Sequence, residues 1–159
     1  MRATTRGVLV LGFLAWPALG PAPAQTAGAP AASPAAAVPA PAQTAGMEDA
    51  AQKVAEAWLA LVDEGKFAES WDEASAYARR VVPKELWMQA EQGGRQPLGR
   101  VIARKLKSRT YREQLPGAPD GKYVVILYDT TFENKKDALE TITPTLDGDR
   151  WRVSGYWVR

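Results

Sequence analysis

PGAPDGKYVVILYDTTFENKKDALETITP, Pro116 to Pro144, is the stretch whose reading decides the fold. Within it YVVILY (Tyr123 to Tyr128) is continuously apolar, the composition of a central strand covered on both faces. Asp129, Thr131 and Glu133 then introduce polarity on one face. The preceding PDG has complete turn chemistry, and ENKK makes a hairpin into DALETITPTL, which alternates with period two. Pro144 cannot donate to a sheet ladder, so this third strand is expected either at an edge or with a bulge.

Working outward, the same period continues on both sides. VIARKLKSRTYREQL (from Val101) reads as the first strand, and DGD turns the chain into a fourth, RWRVSGYWVR. On a regular strand Trp151, Val153, Gly155 and Trp157 share one face, with Gly155 marking a bend or a close approach. Upstream the period changes to that of helices. Met47, Ala51, Val54, Trp58 and Leu61 form one apolar stripe, and Gly65 stands where a helix would end. Phe67, Trp71, Ala74 and Ala78, with Tyr77 beside them, form a second stripe. Pro83 suits a first helical position before a third face of Leu86, Trp87 and Ala90, and Gly93 and Gly94 weaken or stop that helix. Helices followed by a strand meander specify an α+β domain over 47–159, its N-terminal helices packed on one face of a four-stranded, curved antiparallel sheet.

The first 46 residues contain no Asp or Glu. Arg2 and Arg6 precede the apolar run Gly7 to Leu19, and Ala22-Pro23-Ala24 supplies the small residues of a cleavage site, so 1–24 reads as a secretory signal peptide. The run is shorter than the roughly 20 residues needed to span a bilayer, and with no Cys there is no lipid attachment, so no stable membrane anchor is expected after cleavage. Gln25 to Gly46 is Ala/Pro-rich and uncharged, and reads as a disordered tether. Losing Arg2 and Arg6 leaves 18 basic against 18 acidic residues. A formally neutral chain of this kind has no overall field drawing it to nucleic acid. The expected location is the periplasm or the exterior.

WLALVDEGKFAESWDEA (Trp58 to Ala74), PLGRVIARKLKS, LPGAPDGKYVVILYDTTFENKKDALETITP and WRVSGYWVR together resemble a bacterial exported family known as domain of unknown function 4019. The resemblance covers nearly all of Met47 to Arg159. It implies a helix-then-sheet order similar to cystatin-like and nuclear-transport-factor-2-like folds, whose cone can enclose a pocket between helices and sheet. It transfers no catalytic residue.

With no His and no Cys, Ser-His-Asp and Cys-His nucleophilic sites, thiolate redox chemistry and nearly all zinc and copper sites are excluded. No metal site or cofactor is expected. An enzyme would have to rest on carboxylates, and Asp129, Glu133 and Glu140 are the candidates, set against the plainer reading of strand-end charges paired with Lys135, Lys136 or Arg152. Trp87, Tyr123, Tyr128 and Trp157 are candidate ligand-binding residues, although core packing is the default for buried aromatics. The basic run Arg95 to Arg112 has three readings: an anion site built on Arg104 and Lys107, edge-strand protection, or internal pairing with the acidic helices between Met47 and Ser75. The chain reads as an exported binding or interaction module, its partner a small ligand, an envelope protein or a second copy. A cofactor-independent hydrolase or isomerase using a pocket carboxylate is the alternative.

Overall fold

The computed structural model describes residues 41–159; the signal-peptide reading of 1–24 and most of the tether lie outside the described residues. Helix α1 spans Pro41–Asp63. It therefore begins in the segment expected as tether, before Met47. The physical reason is composition, since Ala and Gln are good helix formers and Pro is well placed in a first turn. The helix ends as a Schellman motif around Gly65 at φ 75°. Gly65 N–H donates to Val62 O at 3.1 Å and Lys66 N–H to Leu61 O at 2.8 Å, so two of the last carbonyls are satisfied. The buried stripe is Ala51, Ala55, Trp58, Leu59 and Val62, rotated from the Met47, Val54 and Leu61 line of the periodicity.

The second apolar stripe is divided between two short helices, α2 (Phe67–Asp72) and α3 (Ala76–Val81). Ser75 makes the break. Its hydroxyl accepts from Ala78 N–H as the N-cap of α3, while its own N–H donates to Val153 O at 2.8 Å. Ala74 thereby forms an isolated parallel bridge with Val153. Helix α4 spans Lys84–Gly94 with Pro83 as N-cap, and its buried residues are Trp87, Glu91 and Gly94. Leu86 points outward at 55% exposure, so the expected inner face of Leu86, Trp87 and Ala90 is corrected to one that carries an acid.

Strands β1 (Val101–Arg112), β2 (Tyr123–Phe132), β3 (Ala138–Asp147) and β4 (Arg150–Val158) form an antiparallel meander in the order β1-β2-β3-β4. The helices cover one face. Along β2, Val124, Ile126, Tyr128, Thr130 and Phe132 are buried toward them, whereas Val125, Leu127 and Thr131 are half-buried and Asp129 is exposed. YVVILY is thus covered on one face by the helices and left accessible on the other. Its unbroken apolar run reflects strand propensity as well as burial.

Pro144 lies on an interior strand and uses the bulge, with the β3–β4 register shifting between Thr143 and Pro144. The bulge explains how Val153 and Tyr156 both reach the core from positions that a regular strand would put on opposite faces. It also overturns the expected four-residue face on β4. Trp151 and Val153 stay on the helix side, but Gly155 and Trp157 turn outward, Trp157 opposite Thr141 and its ring 3.5 Å from where a Gly155 side chain would begin.

Candidate functional site

Between α1, α4 and the sheet the chain buries charge. Glu140 alternates inward on β3 between Ala138 and Ile142, and is 0% exposed. Its carboxylate accepts from Arg104 Nε and Nη2 (the latter 3.0 Å), from the Thr130 hydroxyl, and from the Tyr156 hydroxyl at 2.7 Å. Burial first, and then the Glu140 charge and hydrogen bond, hold the Tyr156 phenol well above its ordinary pKa, so it remains a donor. Burial pulls the Arg104 guanidinium down, but hydrogen bonds to Asp63 and Glu140 outweigh it and push it up. Register places these groups together: Arg104 pairs with Thr130 across β1 and β2, and Tyr128 pairs with Glu140 across β2 and β3.

Asp63, at the end of α1, joins two arginines. Its oxygens accept from Arg104 Nη1 and Nη2 at 2.7 and 3.0 Å and from Arg95 Nη2 at 2.8 Å. Arg95, just past α4, is 4% exposed, donates through Nη1 to Gly99 O at 2.8 Å, and lies 4.6 Å over the Phe132 ring. Two carboxylates and two guanidiniums therefore form a balanced chain, Arg95–Asp63–Arg104–Glu140. Glu91 adds a further acid on the inner face of α4. It is 1% exposed, and among the described residues neither of its oxygens has a hydrogen-bond partner. Burial pushes its carboxyl up to about 7, with the Arg95 charge opposing only part of that. Arg95 Nε and the Tyr128 hydroxyl are also buried without partners, and burial followed by the Glu56 charge pushes Tyr128 up to about 12.

The expected site residues separate. Asp129 is exposed and paired across β1 and β2 with Lys107 at 2.8 Å, not with the expected Lys135, Lys136 or Arg152. Glu133 is exposed and fastens the turn before β1: it accepts from Arg100 Nη2 at 3.0 Å and from Arg100 N–H at 3.2 Å, and Arg100 holds its carboxyl below the usual range. Only Glu140 is inward. Arg104 is an internal counter-ion engaged by two carboxylates, so its reading as an anion site is replaced by pairing with the acidic helices; Arg109 does likewise, 2.5 Å from Asp49.

The four aromatic candidates do not line one pocket. Trp87 is core, edge-on to Trp58 at 6.0 Å, with its indole donating to Ser70 Oγ at 3.0 Å. Tyr128 is core beside Glu140. Tyr123 packs under its own turn, its hydroxyl donating to Pro119 O at 2.6 Å, and Trp157 lies on the outer sheet face. The residues that the sequence reading did not single out are Asp63, Glu91, Thr130 and Tyr156, while Arg95 entered it only as the start of the basic run. For two of them a signal was present as spacing, since Trp87, Glu91 and Arg95 follow at four-residue intervals on one helical face; Tyr156 comes to lie opposite Ile142, on the face Ile142 shares with Glu140, only through the β4 bulge.

The opposite side of the sheet is a second candidate surface. Val125, Leu127, Leu139 and Trp157 are half-buried there, around Thr141, Thr143 and Thr145, which are sunk between the larger side chains of the flanking strands. Among the described residues no cluster of acids is placed to hold a metal ion. No curated protein and no solved structure matches the chain. A family model does match, over residues 54–156, the span that contains the buried charge chain and all four strands but the last residues of β4. The chain belongs to the family described as protein of unknown function (DUF4019).

Proposed function

We propose that the domain is a non-catalytic interaction module working outside the cytoplasm, delivered by the signal-like 1–24 segment and carried on the Ala/Pro-rich segment that precedes α1. Its working surface is the outer face of the sheet and its partner a protein of the cell envelope. The observation that carries this reading is the asymmetry of β2: its helix-side residues are buried by the chain itself, whereas Val125 and Leu127 remain half-accessible beside Leu139 and Trp157. Apolar side chains left accessible together on one face are a usual mark of a protein contact. Site-specific photo-crosslinking from position 127 of the full chain in cells tests it. The expected result is one discrete heterologous adduct that disappears when Trp157→Ala is added. Absence of any adduct at 127, or a crosslink only to a second copy of the chain, overturns the proposal.

The alternative, a cofactor-independent hydrolase or isomerase, is favoured by one observation: a buried carboxyl without a hydrogen-bond partner among the described residues, which burial pushes up toward the range used in general acid–base catalysis. That carboxyl is Glu91 rather than Asp129 or Glu133. Its oxygens are closed to solvent, so substrate would reach them only if α4 moved.

A further inference from the structure

Helix α4 rests on a short inner face of Trp87, Glu91 and Gly94. Trp87 is clasped by α2 through Ser70, whose carbonyl also accepts the Trp58 indole at 2.8 Å. Behind α4, Arg95 leads into the four-membered charge chain, where Arg95 and Arg104 are matched by Asp63 and Glu140. Charge there is already balanced. Glu91 and Arg95 have the four-residue spacing at which an acid and a base on one helix ordinarily pair. They do not pair here, because Arg95 is drawn to Asp63 and Gly99 and leaves Glu91 with no partner among the described residues. An ionised Glu91 would be a fifth, uncompensated charge in a buried site, which is strongly unfavourable.

We propose that Glu91 is a proton-operated latch: neutral, it lets α4 seat against α2 and the sheet, and ionised, it unseats α4 and opens the space between helices and sheet.

The titratable and charged groups around it are Arg95 beyond its own helix, Tyr156 on β4, and, behind these two, Asp63 on α1, Glu140 on β3 and Arg104 on β1. Only Arg95 favours the ionised form directly, and it is shared with Asp63. Burial dominates, which brings the transition to neutral pH instead of the acid range of an exposed Glu. The C-terminal end of α4 stays tied through Arg95, so the movement is of Lys84 to Gly94 about that tie, with release of Trp87 from Ser70. The inference does not depend on the outer-face proposal, which concerns the other side of the sheet.

Hydrogen exchange of the full chain as a function of pH tests the latch, each amide being compared with its intrinsic rate. Between about pH 4.5 and pH 7 the protection factor of the α4 amides should fall roughly tenfold per pH unit, from a value already below that of the sheet, and above about pH 7 it should level off; in Glu91→Gln the fall should be absent. Level protection of α4 across the range in the wild type, or the same fall in Glu91→Gln, overturns the proposal. Should Glu91→Gln not fold, carbonyl-carbon NMR of the unsubstituted chain decides: a Glu91 midpoint near neutrality supports the latch, and one in the ordinary range of about 4.3 overturns it.

Discussion

Glu140 and Asp129 are carboxylates on adjacent strands, and their surroundings give them different weights. Glu140→Gln keeps the shape but removes one of the two anions holding Arg104. Breaking a buried pair from one side should cost about 3 kcal/mol, read as a lower urea midpoint with an unchanged slope. Asp129→Asn touches only an exposed pair with Lys107 and should change stability by less than about 0.5 kcal/mol in the same assay. Glu91 acts with the opposite sign. Its folded value of about 7 lies above the ordinary 4.5, so the folded chain retains a proton that the unfolded chain releases in between. Its effect is absent below about pH 4.5, grows as pH rises toward 7, and then stays constant as a penalty of about 3 kcal/mol. Glu91→Gln should therefore leave stability near pH 4.5 little changed and raise it at pH 8, as denaturant titrations at the two pH values would show.

At the scale of elements, two devices, one local and one tertiary, divide the helical half into pieces that fit the sheet. Gly65 adopts a left-handed conformation that lets α1 stop and α2 begin at once. With open space around it, Gly65→Ala should cost about 1 kcal/mol through backbone strain alone, without altering the slope of unfolding. Ser75 caps α3, meets Ser154 at 2.9 Å and bonds its backbone to Val153. Ser75→Ala removes the cap and that hydroxyl contact, an expected loss of about 1 to 2 kcal/mol by thermal denaturation. The β4 bulge has the wider consequence, since it sets which tryptophan joins the core and which faces out.

For the whole molecule, the division of labour is between two sheet faces. Helices and the charge chain use one; the other carries half-accessible Val125, Leu127, Leu139 and Trp157. Leu127→Asp combined with Trp157→Ala should leave the thermal midpoint nearly unchanged, because both side chains lie outside the main core cluster, yet should abolish partner binding. A midpoint that collapses in the double variant would make that face a folding element instead of a docking surface.

Local chemistry was sufficient to determine much of this protein. The period-two runs define four antiparallel strands, the Pro/Gly turns set their limits, and the helices precede them, because strand and helix preferences act over neighbouring residues. The lack of His and Cys likewise excludes whole classes of site without any coordinates. Three outcomes were tertiary. Ser75 divides what reads as one helical stripe, because its competing partner, Val153, comes from the far end of the chain. The β4 bulge reverses Trp157, because register depends on the strand alongside. Glu140, Arg104, Asp63, Arg95 and Glu91 converge from four elements or their ends, and only that convergence decides which charges pair and which one is left over, since the energy of a buried charge depends on distance and solvent exclusion rather than on sequence neighbours.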